Sequence, residues 1–260
     1  MRILFFGDVV GKPGQKILAK RMGALSRQQN ADVIIVNGEN AAGGFGITPQ
    51  ICKEIFDLGA DVITLGNHSW DKREITTYID EEPRLIRPLN YPPGTPGMGS
   101  VVVRRKGKPL MAVVQAHGRV FSNILFDDPF RALEDEVERL RKITPVILVD
   151  FHAEATSEKA AAAWFLDGKV SGLVGTHTHI QTADEQLLLR GTAYITDVGM
   201  CGPFQGVIGT DRHLVLERFL SQMPTRFEPA DGPAVLCAVV IEVDPATGRA
   251  ISIERIQERE

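Results

Sequence analysis

The sequence predicts an α/β fold in which two packed β-sheets are flanked by helices. Two observations carry this. Short β-rich apolar runs alternate with segments of helical periodicity along much of the chain, and the C-terminal part turns strand-rich. A third observation concerns function: five of the apolar runs stop at a side chain able to bind metal or carry a proton.

In chain order, Arg2–Phe6 (RILFF) and Asp32–Val36 (DVIIV) read as buried strands, and Ile17, Leu18, Met22 and Leu25 recur between them at helical spacing. Thr48-Pro49 opens a second helix, with Thr48 as N-cap and Pro49 at its first position. Gly59 ends it, and Asp61–Leu65 (DVITL) is a third strand. The Pro- and Gly-rich stretch Pro83–Gly99 reads as an ordered surface loop. Strands follow near Val101–Arg104 and Leu110–Gln115, then an amphipathic helix at Phe130–Lys142 and a strand at Pro145–Val149. A helix around Glu158–Leu166 precedes a strand at Gly172–Gly175. The strand-rich end comprises Leu187–Leu189, Ala193–Thr196, Val235–Val243 and Ile251–Ile256.

At 260 residues, with no repeat, low-complexity tract or linker, the chain is expected to form one domain over residues 1–260. Its net charge is −4 and its 29 Lys and Arg are dispersed, which argues against an extended nucleic-acid surface while leaving room for one nucleotide in a cleft. Three cysteines, Cys52, Cys201 and Cys237, without C-x-x-C spacing favour a reducing interior over a disulfide framework or zinc knuckle. The opening MRILFFGDVVG reads as a strand rather than a signal peptide, and no apolar run approaches the roughly 18 residues of a bilayer span. A soluble cytoplasmic protein with no membrane partner is expected.

Polar residues interrupt the apolar runs at telling places. RILFFG stops at Asp8, DVIIVNG at Glu39-Asn40, DVITLG at Asn67-His68, PVILVDF at His152, and SGLVGT at His177, followed by Thr178 and His179. In open α/β sheets the ligand crevice lies beyond the C-terminal ends of the strands, so these loops are expected to converge. Each has a plainer reading. Asp8 alone would be a cap or turn former, Glu39-Asn40 turn chemistry ahead of Ala41–Gly44, and His68 a solvated loop histidine. His177-x-His179 is the strongest piece, since residues two apart in an extended segment face the same side. Four of the six histidines occupy such ends, whereas His117 and His213 do not.

Two carboxylates, two amide oxygens and three imidazoles are too many ligands for one tetrahedral ion but suit a pair. Hard oxygens with imidazole and no thiolate point to Fe, Mn or Zn rather than a structural zinc site. Two ions can bridge a hydroxide and clamp the attacking and leaving oxygens of a phosphoryl group. Competing motifs fall away. Gly7–Lys12 (GDVVGK) is too short for a phosphate loop and has Pro13 where Ser or Thr is needed, and Gly43–Gly46 lacks dinucleotide-fingerprint spacing. Ser69 and Ser157 lack a nucleophile elbow, and Cys201 reads as a packed loop cysteine.

Asp8 in GDVVG, Asn67-His68 in GNH and the closing GTHTH resemble the calcineurin-like metallophosphoesterase superfamily. More closely, NGENAAGGFG (37–46), LGNHSWDK (65–72), RPLNYPPGTPG (87–97), DFHAEATSEK (150–159), GTHTHIQTAD (175–184) and TDVGMCGP (196–203) resemble the bacterial YmdB-type phosphodiesterases, in order along nearly the whole chain. The resemblance implies a four-layer α/β/β/α sandwich of two mixed sheets and a dinuclear centre, most readily of iron. By position, Asp8, Glu39, Asn40 and His179 would hold one ion. Glu39 would bridge to the second, held also by Asn67, His152 and His177, with His68 as proton donor to the leaving oxygen. The implied substrates are 2′,3′- and 3′,5′-cyclic nucleotides, with phosphate as product or ligand and self-association into a homo-oligomer. Val10 replaces the histidine of the superfamily's Asp-x-His motif, and Glu39-Asn40 replaces its second aspartate. Both changes are shared with the YmdB type. Ser69 stands where many relatives carry the acid after Asn-His, and whether Asp71 orients His68 instead is left open by the sequence. Two other readings stay open: a phosphomonoesterase or nucleotidase using the same centre, and a regulatory protein that binds nucleotide or RNA with incidental turnover.

Overall fold

The computed structural model describes residues 1–260. The chain begins with β1 (Arg2–Phe6), β2 (Asp8–Val9), α1 (Gly11–Gln28), β3 (Val33–Asn37), α2 (Pro49–Asp57), β4 (Val62–Thr64), α3 (Ile75–Glu81) and β5 (Leu85–Ile86). A second group follows: β6 (Ser100–Val103), β7 (Met111–His117), α4 (Pro129–Arg141), β8 (Ile147–His152), α5 (Thr156–Leu166), β9 (Gly172–Thr176), β10 (Gln186–Leu187) and β11 (Ala193–Ile195). The chain then returns to the first group with β12 (Met200–Pro203), α6 (Arg212–Ser221), β13 (Ala234–Val243) and β14 (Ala250–Arg259).

Local chemistry accounts for the helices. The apolar stripe Ile17, Leu18, Met22 and Leu25 is the buried face of α1. Thr48 caps α2 by accepting from the Ile51 N–H, and Asp128 caps α4 by accepting from the Phe130 and Arg131 N–H groups, each cap being followed by proline. Gly59, at φ +111°, supplies the left-handed turn after α2.

The first sheet runs β2-β12-β13-β1-β3-β4-β5, with β14 on the far side of β13; β1, β3, β4 and β5 are parallel. The second runs β10-β11-β9-β8-β7-β6, with β11, β9, β8 and β7 parallel and both edges antiparallel. Strand alternation sorts the core into three layers. Leu4 and Phe6 face α1 and α2 with Ile17, Met22 and Ile55. Ile3 and Phe5 face the other sheet, meeting Val113, Leu148 and Val174 between the two. On the outer face of the second sheet, Val149 and Phe151 pack on Leu133 and Val137 of α4 and Ala162 of α5. The result is a four-layer α/β/β/α sandwich of two mixed sheets. Fully burying a side chain such as Phe5 contributes about 1.5–3 kcal/mol.

Two expectations need correction. Pro83–Gly99 is not simply a surface loop: Leu85 and Ile86 are buried and pair with β4, and the buried Arg87 donates to the carbonyls of Pro88, Leu89, Thr95, Pro96 and Gly97. One guanidinium thereby satisfies a proline-rich backbone that cannot satisfy itself. Strand β7 continues beyond Gln115 to His117, where the ladder pairs His117 with His152. The short elements β2, α3, β5, β12 and α6 had no readable period in the sequence.

Candidate metal centre

The parallel strands of both sheets end at one edge of the sandwich, and the seven candidate ligands lie there. From the first sheet, β3 leads into Glu39-Asn40. Asn37 fixes that turn by accepting from the Glu39 N–H and donating to the Leu65 carbonyl and Asp150. Asn40 Nδ2 donates to the Gly44 carbonyl, which turns its Oδ1 away from the loop; that oxygen is buried without a partner, as is Asp8 Oδ1. Gly66 is required by close approach: a Cβ there would lie 2.0 Å from Glu39 Oε2 and 2.6 Å from His152 Nε2.

From the second sheet come the imidazoles, each with its outer nitrogen held by an oxygen. Thr176 donates its hydroxyl to Asp150 (2.7 Å) and so accepts the Nδ1–H of His152 (2.8 Å). Glu154 accepts from His177 Nε2 (3.1 Å), and the Ile208 carbonyl accepts from His179 Nδ1 (2.8 Å). The remaining nitrogens therefore present lone pairs to the site. His152 Nε2 lies 3.0 Å from each of His177 Nδ1, Glu39 Oε1 and Asn67 Oδ1. Four lone-pair donors meet there with no proton left between them, an arrangement that a cation satisfies and a hydrogen-bond network does not. Glu39, His152 and His177 form a candidate metal-binding cluster. His179 Nε2 faces the orphaned Asp8 Oδ1 at 3.9 Å.

Electrostatics agree. Asp8, Glu39, Asp150 and Asp197 are all buried here, and the one buried lysine, Lys159, is paired to Asp197. Burial, followed by repulsion from Glu39, Asp197 and Asp150, drives the Asp8 carboxyl well above its ordinary range. Burial also pushes the Asp150 carboxyl up to about 7. It holds His152 well below its usual pKa and lowers His177 to about 3, so neither ring is protonated near neutrality. Neutral imidazoles beside uncompensated carboxylates fit a divalent cation.

His68 lies at the rim, with Nδ1 2.8 Å from Asp71 Oδ2 and Phe45 packed edge-on against its ring at 5.0 Å. It lines a cavity of about 710 Å³ together with His177, His179, Phe45, Arg218 and Phe227.

The sequence reading needs correction at four points. His177-Thr178-His179 is not extended: His177 has φ +102° and His179 φ +67°, and the two rings reach different parts of the site because the backbone turns left-handed. His117, set apart from the strand ends, is the last residue of β7, buried beside His152 with ring centroids 5.3 Å apart and stacked on Phe126. Its Nδ1 donates to the Gly118 carbonyl and its Nε2 is buried without a partner. Glu154 was also missed, although it follows His152 by two residues, the spacing that returns a side chain to the same side of a strand. Cys201 lies in strand β12 rather than a loop, and His213 lies exposed on α6, away from the site.

The fold is that of the calcineurin-like phosphoesterases: YfkN of Bacillus subtilis superposes with TM-score 0.61 at 11% identity, covering 100% of this chain and 90% of that one. Within that class the chain belongs to the YmdB-like protein family, whose model matches residues 4–256. A Bacillus subtilis (strain 168) relative named 2′,3′-cyclic-nucleotide 2′-phosphodiesterase is 50% identical over 256 residues, 98% of this chain and 96% of that protein. A Mycoplasma pneumoniae crystal structure titled a novel phosphatase matches with TM-score 0.94 at 34% identity, covering 100% of this chain and 94% of that one. The protein is a phosphoesterase.

Proposed function

We propose that the chain is a dinuclear-metal phosphodiesterase that hydrolyses cyclic nucleotides, 2′,3′-cyclic monophosphates first and 3′,5′-cyclic monophosphates as well. The observation that carries this is the convergence of lone pairs from both sheets at the base of a cavity whose rim holds His68. Asp8, Asn40 and His179 would hold one ion; Asn67, His152 and His177 the other; Glu39, with one oxygen toward His152 and the other at the His68 N–H, would serve both. The donor set suits iron, manganese or zinc, and the resemblance to the YmdB type favours iron among them. When bound, the ions supply Lewis acidity toward phosphoryl oxygens and lower the pKa of water.

The chain's own residues do the rest. Asp71 holds the His68 ring through Nδ1, leaving Nε2 to deliver a proton to the departing ribose oxygen, a contribution of roughly 10²–10⁴-fold. Phe45 packs edge-on against that ring. Thr176, Glu154 and the Ile208 carbonyl keep the three ligand histidines in the tautomers that present lone pairs. The apolar wall made by Phe45, Ile208, Phe219 and Phe227 suits the nucleoside, which is larger than the phosphoryl group alone.

Both sheets supply the site, so we take residues 1–260 as one metallophosphoesterase domain. A cytoplasmic setting accompanies the reading, with Cys52, Cys201 and Cys237 all free and buried; no helix is long and apolar enough to cross a membrane. The second reading, a phosphomonoesterase or nucleotidase using the same centre, is favoured by the Mycoplasma pneumoniae relative, which is described as a novel phosphatase. Assays of 2′,3′-cyclic AMP, 3′,5′-cyclic AMP and a simple phosphomonoester, each with and without chelator, separate the two. Chelator-sensitive turnover of the cyclic diesters is expected. Hydrolysis confined to the monoester would overturn the proposal in favour of the second reading.

A further inference from the structure

The His177–His179 turn combines two left-handed non-glycine residues, conformations that L side chains avoid and that persist only when the surroundings enforce them. Asp8 Oδ2 accepts from the His177 N–H at 3.3 Å, and the middle of the turn is gripped by one buried oxygen of Asp197. Asp197 Oδ2 accepts from the Thr178 N–H at 3.0 Å, from the Thr178 hydroxyl at 2.8 Å, and from Lys159 Nζ at 2.7 Å. Asp197 Oδ1 accepts from the Gly199 N–H, and Thr182 brackets the Asp197 backbone with bonds to both its N–H and its carbonyl. Thr178 sits between the two histidines, so the grip on it acts on the backbone of both.

Lys159 and Asp197 are both fully buried. The lysine stem reaches inward from α5 past Gly175, where a Cβ would lie 2.9 Å from Lys159 Cδ and 1.8 Å from the Thr196 carbonyl oxygen. A buried ion pair is a weak means of stabilising a core, because desolvation offsets most of the attraction and an apolar pair of similar volume does as well. An apolar pair, however, would offer no oxygen to Thr178.

We infer that Lys159 and Asp197 are positioning residues for the candidate metal centre: their buried ion pair holds the His177-Thr178-His179 turn in its left-handed form and so places two of the three ligand imidazoles. The inference rests on the metal-binding reading of those histidines. Lys159 fixes and neutralises the carboxylate, Asp197 grips Thr178 twice, and the turn carries His177 Nδ1 toward His152 and His179 Nε2 toward Asp8.

The test measures metal affinity by chelator competition and, separately, thermal unfolding of the metal-stripped protein. K159M and D197N each break the pair and are expected to lower the apo Tm by about 10 °C. The double variant K159M/D197L is expected to regain most of that Tm yet bind metal about 10–100-fold more weakly, as loss of an outer partner of a ligand does. T178V, which keeps shape and loses the hydroxyl, should weaken metal binding with little change in Tm, and T178S should restore it. Wild-type metal affinity in T178V, or in a folded double variant, would overturn the inference while leaving the metal centre intact. A wild-type chain that takes up no metal would overturn the metal centre itself, and the inference with it.

Discussion

The loops of the two sheets meet at one edge of the sandwich with different chemistry. From the first sheet come Asp8, Glu39, Asn40 and Asn67, which offer oxygen; from the second come His152, His177 and His179, which offer nitrogen. The oxygen side is left partly unsatisfied, with Asp8 Oδ1 and Asn40 Oδ1 buried and unpartnered. The nitrogen side is fully braced, each ring held by Thr176, Glu154 or the Ile208 carbonyl. Neither sheet alone offers a complete set. The sandwich brings hard oxygens and neutral imidazoles to the same edge, and each proposed ion would take ligands from both. His68 is the exception, a nitrogen carried by the first sheet, and it is the one residue of the group assigned to proton transfer rather than to metal.

Changes on the oxygen side should break this division most severely at Glu39, the carboxylate proposed to serve both halves. Glu39→Ala is expected to lose both ions and to reduce turnover to background; full metal occupancy by elemental analysis would contradict that role. His68→Ala should leave both ions bound while kcat falls by roughly 10²–10⁴-fold, which separates the exceptional nitrogen from the ligand nitrogens. Wild-type kcat in that variant would remove His68 from the mechanism. Gly66→Ala wedges a methyl group between the two sides, against Glu39 and His152. It should weaken metal binding about 10–100-fold with a smaller effect on folding, readable by chelator competition.

The smallest effect lies away from the site. Arg84 hydrogen bonds hold the Glu82 carboxyl below its ordinary 4.5 against the opposing effect of burial. Its folded pKa is depressed, so its contribution is present above the unfolded value and is lost as pH falls through the folded one. The pair is partly exposed, and Glu82→Gln should cost at most about 1 kcal/mol, only above that acid range, with metal content unchanged. Equal loss of stability at pH 3 and pH 7 would show that the carboxylate charge is not what matters there.

Much of this arrangement was legible in sequence, because strand ends are marked where apolar runs give way to polar residues. Asp8, Glu39, Asn67, His152 and His177 each fall at such a break. The left-handed turn at His177–His179 was not legible, since nothing in His-Thr-His distinguishes an extended pair from a clamped turn; the clamp, Asp197, lies 18 residues beyond His179 in sequence. His117 was missed for a related reason. Its strand passes through Gln115, a polar residue that reads as a terminus but is buried and accepts from the Leu65 N–H. Helix α6 escaped because its mostly exposed face leaves little periodic contrast, with Leu216, Phe219 and Leu220 all open to solvent.

The division of ligands between two ions is the central claim, and metal stoichiometry tests it most directly. Wild type, Asp8→Asn and His152→Ala would be stripped, reloaded with iron or manganese, freed of excess ion and measured by elemental analysis per chain. Two ions in wild type and one in each folded variant is the expected result. One ion in wild type, or two retained in either variant, would contradict a centre built from an oxygen-bearing sheet and a nitrogen-bearing sheet sharing Glu39.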